Sequence, residues 1–167
     1  MSLKVLLLLA VFGLPPTPAG AAEAMNCRVA AQFSSQGSIG KAVVEALRGA
    51  KERLTIALYG FDNTELGDEL IQLVKKGVAV KLKIDTARNK SKKIVNLIDR
   101  LRSAGVRVET VAPDGRNHNK FAVIDGKQVL TGSYNWTLKS EWNWENLLIL
   151  DCPELAKAYE AEWGRIH

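Results

Sequence analysis

The sequence predicts an α/β fold, a single domain with a mixed β-sheet flanked by helices. Its 167 residues are the length of one domain and leave enough chain to build a core. Short apolar, β-prone runs alternate with amphipathic helical patterns through the first two thirds of the chain. No internal repeat or low-complexity segment interrupts that order.

The strand predictions rest on short β-prone runs. The run 54–59 is apolar almost throughout, as in a buried strand, whereas 78–84 alternates and carries lysines on one face. Residues 125–126, Asp-Gly, predict a tight hairpin turn. The predicted strands are 27–33, 54–59, 78–84, 106–111, 121–124, 128–131 and 145–150.

The helix predictions rest on apolar residues at helical spacing and on end signals. Ser38 is suited to cap the first helix, Gly77 to end the second and Pro153 to open the last. The predicted helices are 38–51, 66–77, 94–105 and 153–165.

The N-terminus has the pattern of a secretory signal. Lys4 precedes an apolar run, 5–14, which prolines end and small residues follow. We expect a signal peptide over 1–22, with cleavage after Ala22 or after Ala24, and a mature domain over 25–167. The run is shorter than the roughly 20 residues that cross a bilayer, so no stable membrane insertion is expected after cleavage. An uncleaved anchor is the alternative; cleavage predicts a periplasmic or secreted protein.

Two cysteines, Cys27 and Cys152, lie near the ends of the mature chain. In an oxidising compartment they could form a disulfide, within one chain or between chains. Two unrelated thiols are the alternative. Neither cysteine has the spacing to a histidine that a structural zinc site requires.

The stretch 116–136 contains the most chemistry. His118 is the only histidine besides the terminal His167, and Lys120 follows two positions later. If the strand reaches back to His118, both side chains lie on the same face, because side chains alternate along a strand. Asp125 then falls on the other face or at the turn. Gly132, Ser133 and Asn135 return on the next strand, which predicts an anion site.

These side chains suit phosphoryl transfer. A neutral imidazole is a competent nucleophile or base near neutral pH, and lysine can hold a phosphoryl oxygen. Ser133 and Asn135 add hydrogen-bond donors that stabilise charge in a transition state. No carboxylate cluster accompanies them, so we predict neither a metal nor a cofactor. His118 is the predicted covalent nucleophile.

The spacing resembles that of a known family. His118-x-Lys120, four residues, Asp125, six residues, Gly132-Ser133 and then Asn135 is similar to the motif of the phospholipase D superfamily. The layout of the whole chain resembles the small bacterial endonucleases of that superfamily, which carry one motif copy.

The resemblance implies a phosphohistidine mechanism in which a second histidine protonates the leaving group. Because this chain has one motif, the acid is expected to be His118 of another subunit in a symmetric homodimer. Lys120 and Asn135 would bind phosphate oxygens, with Ser133 as a supporting donor. Glu145 fits the acidic residue that holds the other ring nitrogen of the histidine; a surface glutamate is the alternative. Asp125 and Gly132 are expected to be structural.

The substrate remains open between three classes. One is a sequence-nonspecific endonuclease acting on DNA or RNA, another a phospholipase D or cardiolipin-type hydrolase, and the third a non-catalytic module that binds the nucleic-acid backbone. The net charge of +5 suits a phosphate-rich partner. The tryptophans could stack on bases, form a dimer core or touch a membrane, and the cations could be a solvated face. The candidate substrate-binding residues are Lys81, Lys83, Arg88, Lys90, Lys93, Arg116, Trp136 and Trp144.

Overall fold

The computed structural model describes residues 25–167, which form one mixed sheet of seven strands with helices on both faces. The predicted fold class is confirmed. The predicted signal peptide lies outside the described residues. The strands are β1 (Arg28–Phe33), β2 (Arg53–Leu58), β3 (Ala79–Asp85), β4 (Arg107–Val111), β5 (Lys120–Ile124), β6 (Gln128–Gly132) and β7 (Asn146–Asp151). The α-helices are α1 (Ile39–Leu47), α2 (Thr64–Lys75), α3 (Lys92–Ser103) and α4 (Pro153–Arg165).

The sheet order β1-β7-β6-β5-β2-β3-β4 sets where functional side chains can meet. Strands β2, β3 and β4 are parallel, whereas β5, β6, β7 and β1 pair antiparallel. Leu58, the last residue of β2, pairs with Lys120, the first residue of β5. The carboxyl ends of the parallel strands therefore meet the start of the β5–β6 hairpin.

Alternation along the strands divides the core between the two faces of the sheet. Ile56 and Ala122 face the cluster that packs under α1, α2 and α3. Phe121 and Val123 face the opposite cluster, which α4 covers with Ala156. Fully burying side chains such as Ile56 or Phe121 contributes roughly 1.5–3 kcal/mol each.

The helix ends lie within about two residues of those predicted, except at the end of α1. The Ser38 hydroxyl accepts the Lys41 N–H at 3.1 Å and caps α1. Gly77 has φ 91° beyond α2, a backbone conformation that glycine adopts at little cost. Helix α1 ends at Leu47 rather than at 51, because a tight turn there redirects the chain into β2.

Cys27 and Cys152 form a disulfide within one chain. The bond ties the start of the edge strand β1 to the residue that precedes α4. Such bonds persist in oxidising compartments, so the disulfide indicates one. No helix within residues 25–167 is long and apolar enough to cross a membrane.

Candidate active site

His118 and Lys120 meet at the carboxyl end of β2. Strand β5 begins at Lys120 and does not reach back to His118, so the condition for a shared strand face is not met. The two side chains are nevertheless adjacent: Lys120 Nζ lies 3.2 Å from His118 Nδ1 and donates to the His118 carbonyl at 2.8 Å. The Tyr59 ring supports the imidazole, with ring centroids 4.4 Å apart.

A buried polar network fixes the turn that carries His118. Asp85, at the end of β3, accepts the Asn117 N–H at 3.1 Å and is 2% exposed. Asn117 donates to the Leu58 carbonyl at 3.4 Å. Asn89 donates to the Tyr59 carbonyl at 2.8 Å and to that of Asp85 at 2.7 Å. These contacts tie the turn to the ends of β2 and β3, and so hold the backbone on either side of the histidine.

The motif residues line one open pocket of about 500 Å³. Strand β5 and the turn before it supply the histidine and lysine side, and the end of β6 supplies the opposite side. The pocket therefore has a cation, an imidazole, a hydroxyl and a carboxamide around one space, a set suited to an anionic group. Its lining residues are His118, Asn119, Lys120, Thr131, Gly132, Ser133 and Asn135.

Glu145 is near this pocket but does not contact the histidine. Its carboxylate accepts hydrogen bonds from the Ser133 hydroxyl and, at 3.1 Å, from Asn143 Nδ2. The expectation that Glu145 holds the second ring nitrogen of His118 is therefore wrong within this protomer, since Lys120 occupies the place beside Nδ1. The backbone of Glu145 is held by Ser34, whose Oγ accepts its N–H at 2.9 Å.

Burial and a neighbouring charge act in opposite directions on the pKa of Lys120. Partial burial lowers the pKa of Lys120, and the charge of Glu145 opposes that shift. While protonated, Lys120 has no acceptor lone pair, so it donates to Nδ1 and the neutral imidazole of His118 carries its proton on Nε2. This tautomer presents an Nε2–H hydrogen-bond donor to a group in the pocket.

Gly132 and Asp125 make structural contacts. A Cβ on Gly132 would lie 2.3 Å from the backbone oxygen of Asn146, so β6 and β7 approach closely only with glycine there. Asp125 lies at the hairpin turn, at the far end of β5 from His118, with φ 52°. Its carboxylate accepts the N–H groups of residues 51, 52 and 53.

A model described as "Cardiolipin synthase, PLD-like domain" matches residues 43–166. The chain belongs to the phospholipase D superfamily. The mitochondrial cardiolipin hydrolase of Xenopus laevis is 38% identical over 121 residues, 72% of this chain and 57% of that protein. The Mus musculus protein of that name is 34% identical over 158 residues, 92% of this chain and 66% of its own length. Phospholipase D of Rickettsia typhi is 30% identical over 142 residues, 84% of this chain and 69% of that protein. The chain thus spans 57–69% of these relatives.

Two solved structures of similar length share the fold. Nuc from Salmonella typhimurium, a phospholipase D family member, matches with a TM-score of 0.80 at 26% identity, over 84% of this chain and 93% of that one. NucT from Helicobacter pylori matches with a TM-score of 0.70 at 20% identity, over 84% and 96% of the two chains, which shows the fold alone. Both matches extend over nearly the whole of those two chains, in agreement with the one-domain size of this one.

Three of the predicted substrate-binding residues do not lie at the phospholipase D pocket. Lys83 is 6% exposed, and Nζ donates to the carbonyls of residues 163 and 166, so it anchors the C-terminal segment beneath α4. Trp136 is 3% exposed and packs edge-on against Phe61, so it belongs to the core. Lys81 is exposed but lines a groove with Arg53, at the amino end of β2. The burial of Lys83 and Trp136 contradicts their predicted contact with substrate, whereas that of Lys81 stays a prediction.

The other candidate substrate-binding residues are exposed on the surface of this phospholipase D domain. Trp144 is 89% exposed, and Trp142, which precedes it by two residues, is 90% exposed. The exposed cations are Arg88, Lys90, Lys93 and Arg116. Among residues 25–167, no three His, Cys, Asp or Glu side chains cluster as a metal site requires.

Several residues that shape this phospholipase D site carry no recognisable sequence signal. Tyr59 supports the imidazole, yet it resembles any aromatic residue at a strand end. Asn117 donates a hydrogen bond to the Leu58 carbonyl, a partner distant in sequence, and Asn143 donates one to the Glu145 carboxylate. Position along the chain is the signal for Asp85 and Asn89. Asp85 ends the parallel strand β3 and Asn89 follows in the next loop, at the edge of the sheet where sites form.

Proposed function

We propose that this protein is a phosphodiesterase that cleaves nucleic acids through His118, as a metal-independent endonuclease with little sequence preference. The observation that carries the proposal is the pocket in which His118, Lys120, Ser133 and Asn135 meet. A binding module for a phosphate backbone has no need of an imidazole beside the ammonium. The family of the chain supports the reaction class.

The reaction proceeds in two displacements. His118 Nε2 attacks phosphorus, a nitrogen–phosphorus bond forms, and the bond from phosphorus to the leaving oxygen breaks. That oxygen takes a proton from a second histidine. Water then gives a proton to the second histidine and attacks phosphorus, which breaks the nitrogen–phosphorus bond and releases the phosphate product. Lys120 and Asn135 stabilise the charge on the other phosphate oxygens.

The second histidine must come from a second copy of the chain. In-line displacement places nucleophile and acid on opposite sides of phosphorus, and the described residues bring one motif histidine to this pocket. His118 of the partner subunit supplies the acid in a homodimer with the pocket at its two-fold axis. Each protomer thus contributes half of the catalytic groups.

Lys120 links substrate binding to the protonation of the ring. In the free protein its donation to Nδ1 places the imidazole proton on Nε2, where it can donate a hydrogen bond to a phosphate oxygen. A nucleophile needs Nε2 free. When a phosphate oxygen draws the ammonium away from Nδ1, the proton can move to Nδ1 and Nε2 becomes able to attack.

Charge supports a polynucleotide as the substrate. The chain carries a net charge of +5, and exposed cations, among them Arg88 and Arg116, flank the ends of β3 and the turn before His118. A phospholipid is the second candidate, favoured by the exposure of Trp142 and Trp144 at 90% and 89% and by the names of the cardiolipin hydrolase relatives.

The disulfide supports export. A bond between Cys27 and Cys152 agrees with a mature domain over 25–167 that works in the periplasm or outside the cell, after removal of a signal over 1–22. N-terminal sequencing of the exported protein tests the cleavage site, and an intact N-terminus would contradict it.

Parallel assays decide the substrate. Plasmid, single-stranded DNA, RNA and cardiolipin vesicles are incubated in EDTA with the native protein and with His118→Ala. We expect cleavage of the nucleic acids by the native protein alone, and an acid-labile phosphoprotein after rapid denaturation. Turnover of cardiolipin without any cleavage of nucleic acid would overturn the proposal in favour of the lipid. DNA binding without cleavage of any substrate would favour a binding module.

Mixed dimers test the shared site. Native and His118→Ala chains are mixed in increasing ratio and allowed to exchange. If each pocket needs both histidines, activity falls with the square of the native fraction, because mixed dimers are inactive. A linear fall would show that one chain carries a whole site.

A further inference from the structure

A small polar cleft lies directly beside the catalytic pocket. Its volume is about 160 Å³, and Asn135 lines both the cleft and the pocket. A ligand in the cleft and a ligand in the pocket would therefore both lie beside Asn135. We call it the neighbour cleft; its lining residues are Gly60, Arg88, Asn135, Thr137, Lys139, Ser140 and Asn143.

The lining of the neighbour cleft suits an anion. Two of its residues, Arg88 and Lys139, are cationic, and no acidic side chain lines it. Both cations are exposed, and within residues 25–167 neither is part of an ion pair. The remaining groups are hydroxyls, carboxamides and a glycine, so the cleft offers no apolar side chain to an acyl chain.

The walls of the neighbour cleft are held in place before any ligand arrives. On one side, the backbone of Arg88 donates to the Asp85 carboxylate at 2.9 Å. On the other, a short 3₁₀ helix, Leu138–Trp142, starts from Thr137, whose hydroxyl accepts the Ser140 N–H at 3.3 Å. Fixed walls lower the ordering cost that a bound group must offset.

The neighbour cleft is also connected to Glu145, which lies near the catalytic pocket. Asn143 lines the cleft and donates to Glu145 at 3.1 Å, and Glu145 in turn accepts from Ser133 in the catalytic pocket. The two spaces share a wall and a hydrogen-bond chain, which indicates that they hold two parts of the same substrate.

We propose that the neighbour cleft binds the phosphate next to the scissile phosphate of a polynucleotide, with Arg88 and Lys139 as its cations. The inference rests on the proposed nuclease function. A volume of about 160 Å³ accommodates one phosphate group with its bonded oxygens. The polar lining favours the sugar–phosphate backbone over a lipid, since acyl chains need apolar surface. The site then selects chains of phosphodiesters over an isolated one.

The test compares three short substrates: a dinucleotide with one phosphodiester, a trinucleotide with two, and the same trinucleotide whose non-scissile linkage is an uncharged methylphosphonate. For the native protein we expect kcat/KM on the charged trinucleotide to exceed that on the methylphosphonate by on the order of tenfold, the effect of a charge-assisted contact. In the Arg88→Met, Lys139→Met double variant this ratio falls to about one. The readout is a ratio, so a general loss of activity cancels.

Lys76→Met is the matched control. Lys76 is an exposed lysine at the end of α2, before β3 begins, and so at the opposite end of the sheet from the pocket. Its variant removes a positive charge and should keep the native ratio. If the double variant keeps the native ratio of kcat/KM values, the proposal for the neighbour cleft is overturned and the proposed nuclease function still stands. Hydrolysis of cardiolipin by a native protein that cleaves none of the nucleotides overturns the nuclease and the cleft together.

Discussion

Replacing Asp125 should destabilise the fold and leave the chemistry almost unchanged, although this residue is part of the motif. Oδ1 of Asp125 accepts the N–H groups of Glu52 and Arg53 at 2.8 and 2.9 Å, and Oδ2 accepts that of Lys51 at 2.9 Å. The carboxylate thereby joins the turn of the hairpin to the start of β2. Neither oxygen is hydrogen-bonded to a residue of the catalytic pocket.

The contacts set the magnitude. The three amides belong to exposed residues that water can reach, so each lost bond costs about 1 kcal/mol net. Alanine adds about 1 kcal/mol, because position 125 has φ 52°, a conformation that aspartate and asparagine tolerate better. Asp125→Ala should therefore lower the free energy of unfolding by about 4 kcal/mol, a large part of the usual 5–15. Asp125→Asn keeps Oδ1 and should lose about 1–2 kcal/mol.

The pH dependence gives a second check. Burial acts to raise the pKa of Asp125, but the three backbone hydrogen bonds outweigh it and hold the pKa below its ordinary value. Because the folded pKa is the lower one, the stabilisation is complete above the unfolded value of about 3.9 and is lost as the pH falls through the folded pKa. The stabilities of the native and Asp125→Asn proteins should begin to converge below about pH 4 and should meet only once the pH is below the lowered, folded pKa.

Urea unfolding at several pH values measures the stability, and kcat well below the unfolding midpoint measures the chemistry. We expect Asp125→Asn to keep kcat within about threefold of the native protein while its midpoint falls. His118→Ala is the matched comparison, with lost activity and a nearly native midpoint. A folded Asp125→Asn protein with a native midpoint and the activity of His118→Ala would show that this carboxylate acts in the reaction.

Other predictions concern the site and the disulfide. Since burial lowers the pKa of Lys120 and Glu145 opposes this, kcat/KM should fall at alkaline pH below the ordinary lysine value of about 10.4, and Glu145→Gln should move that fall to lower pH in a pH–rate profile. Cys27→Ser should lower the free energy of unfolding, measured in urea, by up to about 5 kcal/mol, because the bond closes a long loop. An equal effect of reductant on this variant and on the native protein would contradict this. Gly132→Ala should lower the free energy of unfolding by about 1–3 kcal/mol and lower kcat, since its Cβ would clash with the backbone of β7. A native midpoint in thermal unfolding would refute the close approach of β6 and β7.

Local patterns were sufficient to predict most of the fold. Helix α4 runs from Pro153 to Arg165 as predicted, because proline fixes its start and the apolar spacing is regular. The strands around the core differ from prediction by about one residue, the usual uncertainty of strand ends. The end of α1 was less predictable, because it depends on the turn that Asp125 binds from across the molecule.

The site was only partly predictable for a related reason. The motif places His118, Lys120 and Ser133 at one pocket, since the hairpin register follows from local sequence. The burial of a cationic side chain depends on packing between segments distant in sequence, which the sequence does not show. Lys83 lies under α4, whose position depends on the other face of the sheet, and its ammonium is bonded to backbone carbonyls there. The contact of Glu145 with Ser133 rather than His118 likewise depends on side-chain geometry.

The edge strand β1 connects the oxidation state of the protein to its active site. Cys27, just before one end of β1, is covalently tied to Cys152, and Ser34, just after the other end, holds the backbone of Glu145. An edge strand has one neighbour, so without the covalent bond this support depends on its pairing with β7 alone. We expect the freshly made, reduced chain to have a loosely held Glu145 and lower activity, which comparison of reduced and oxidised protein measures. Such a hydrolase would become fully active only in an oxidising compartment, and the phosphodiesters of a reducing compartment would be spared.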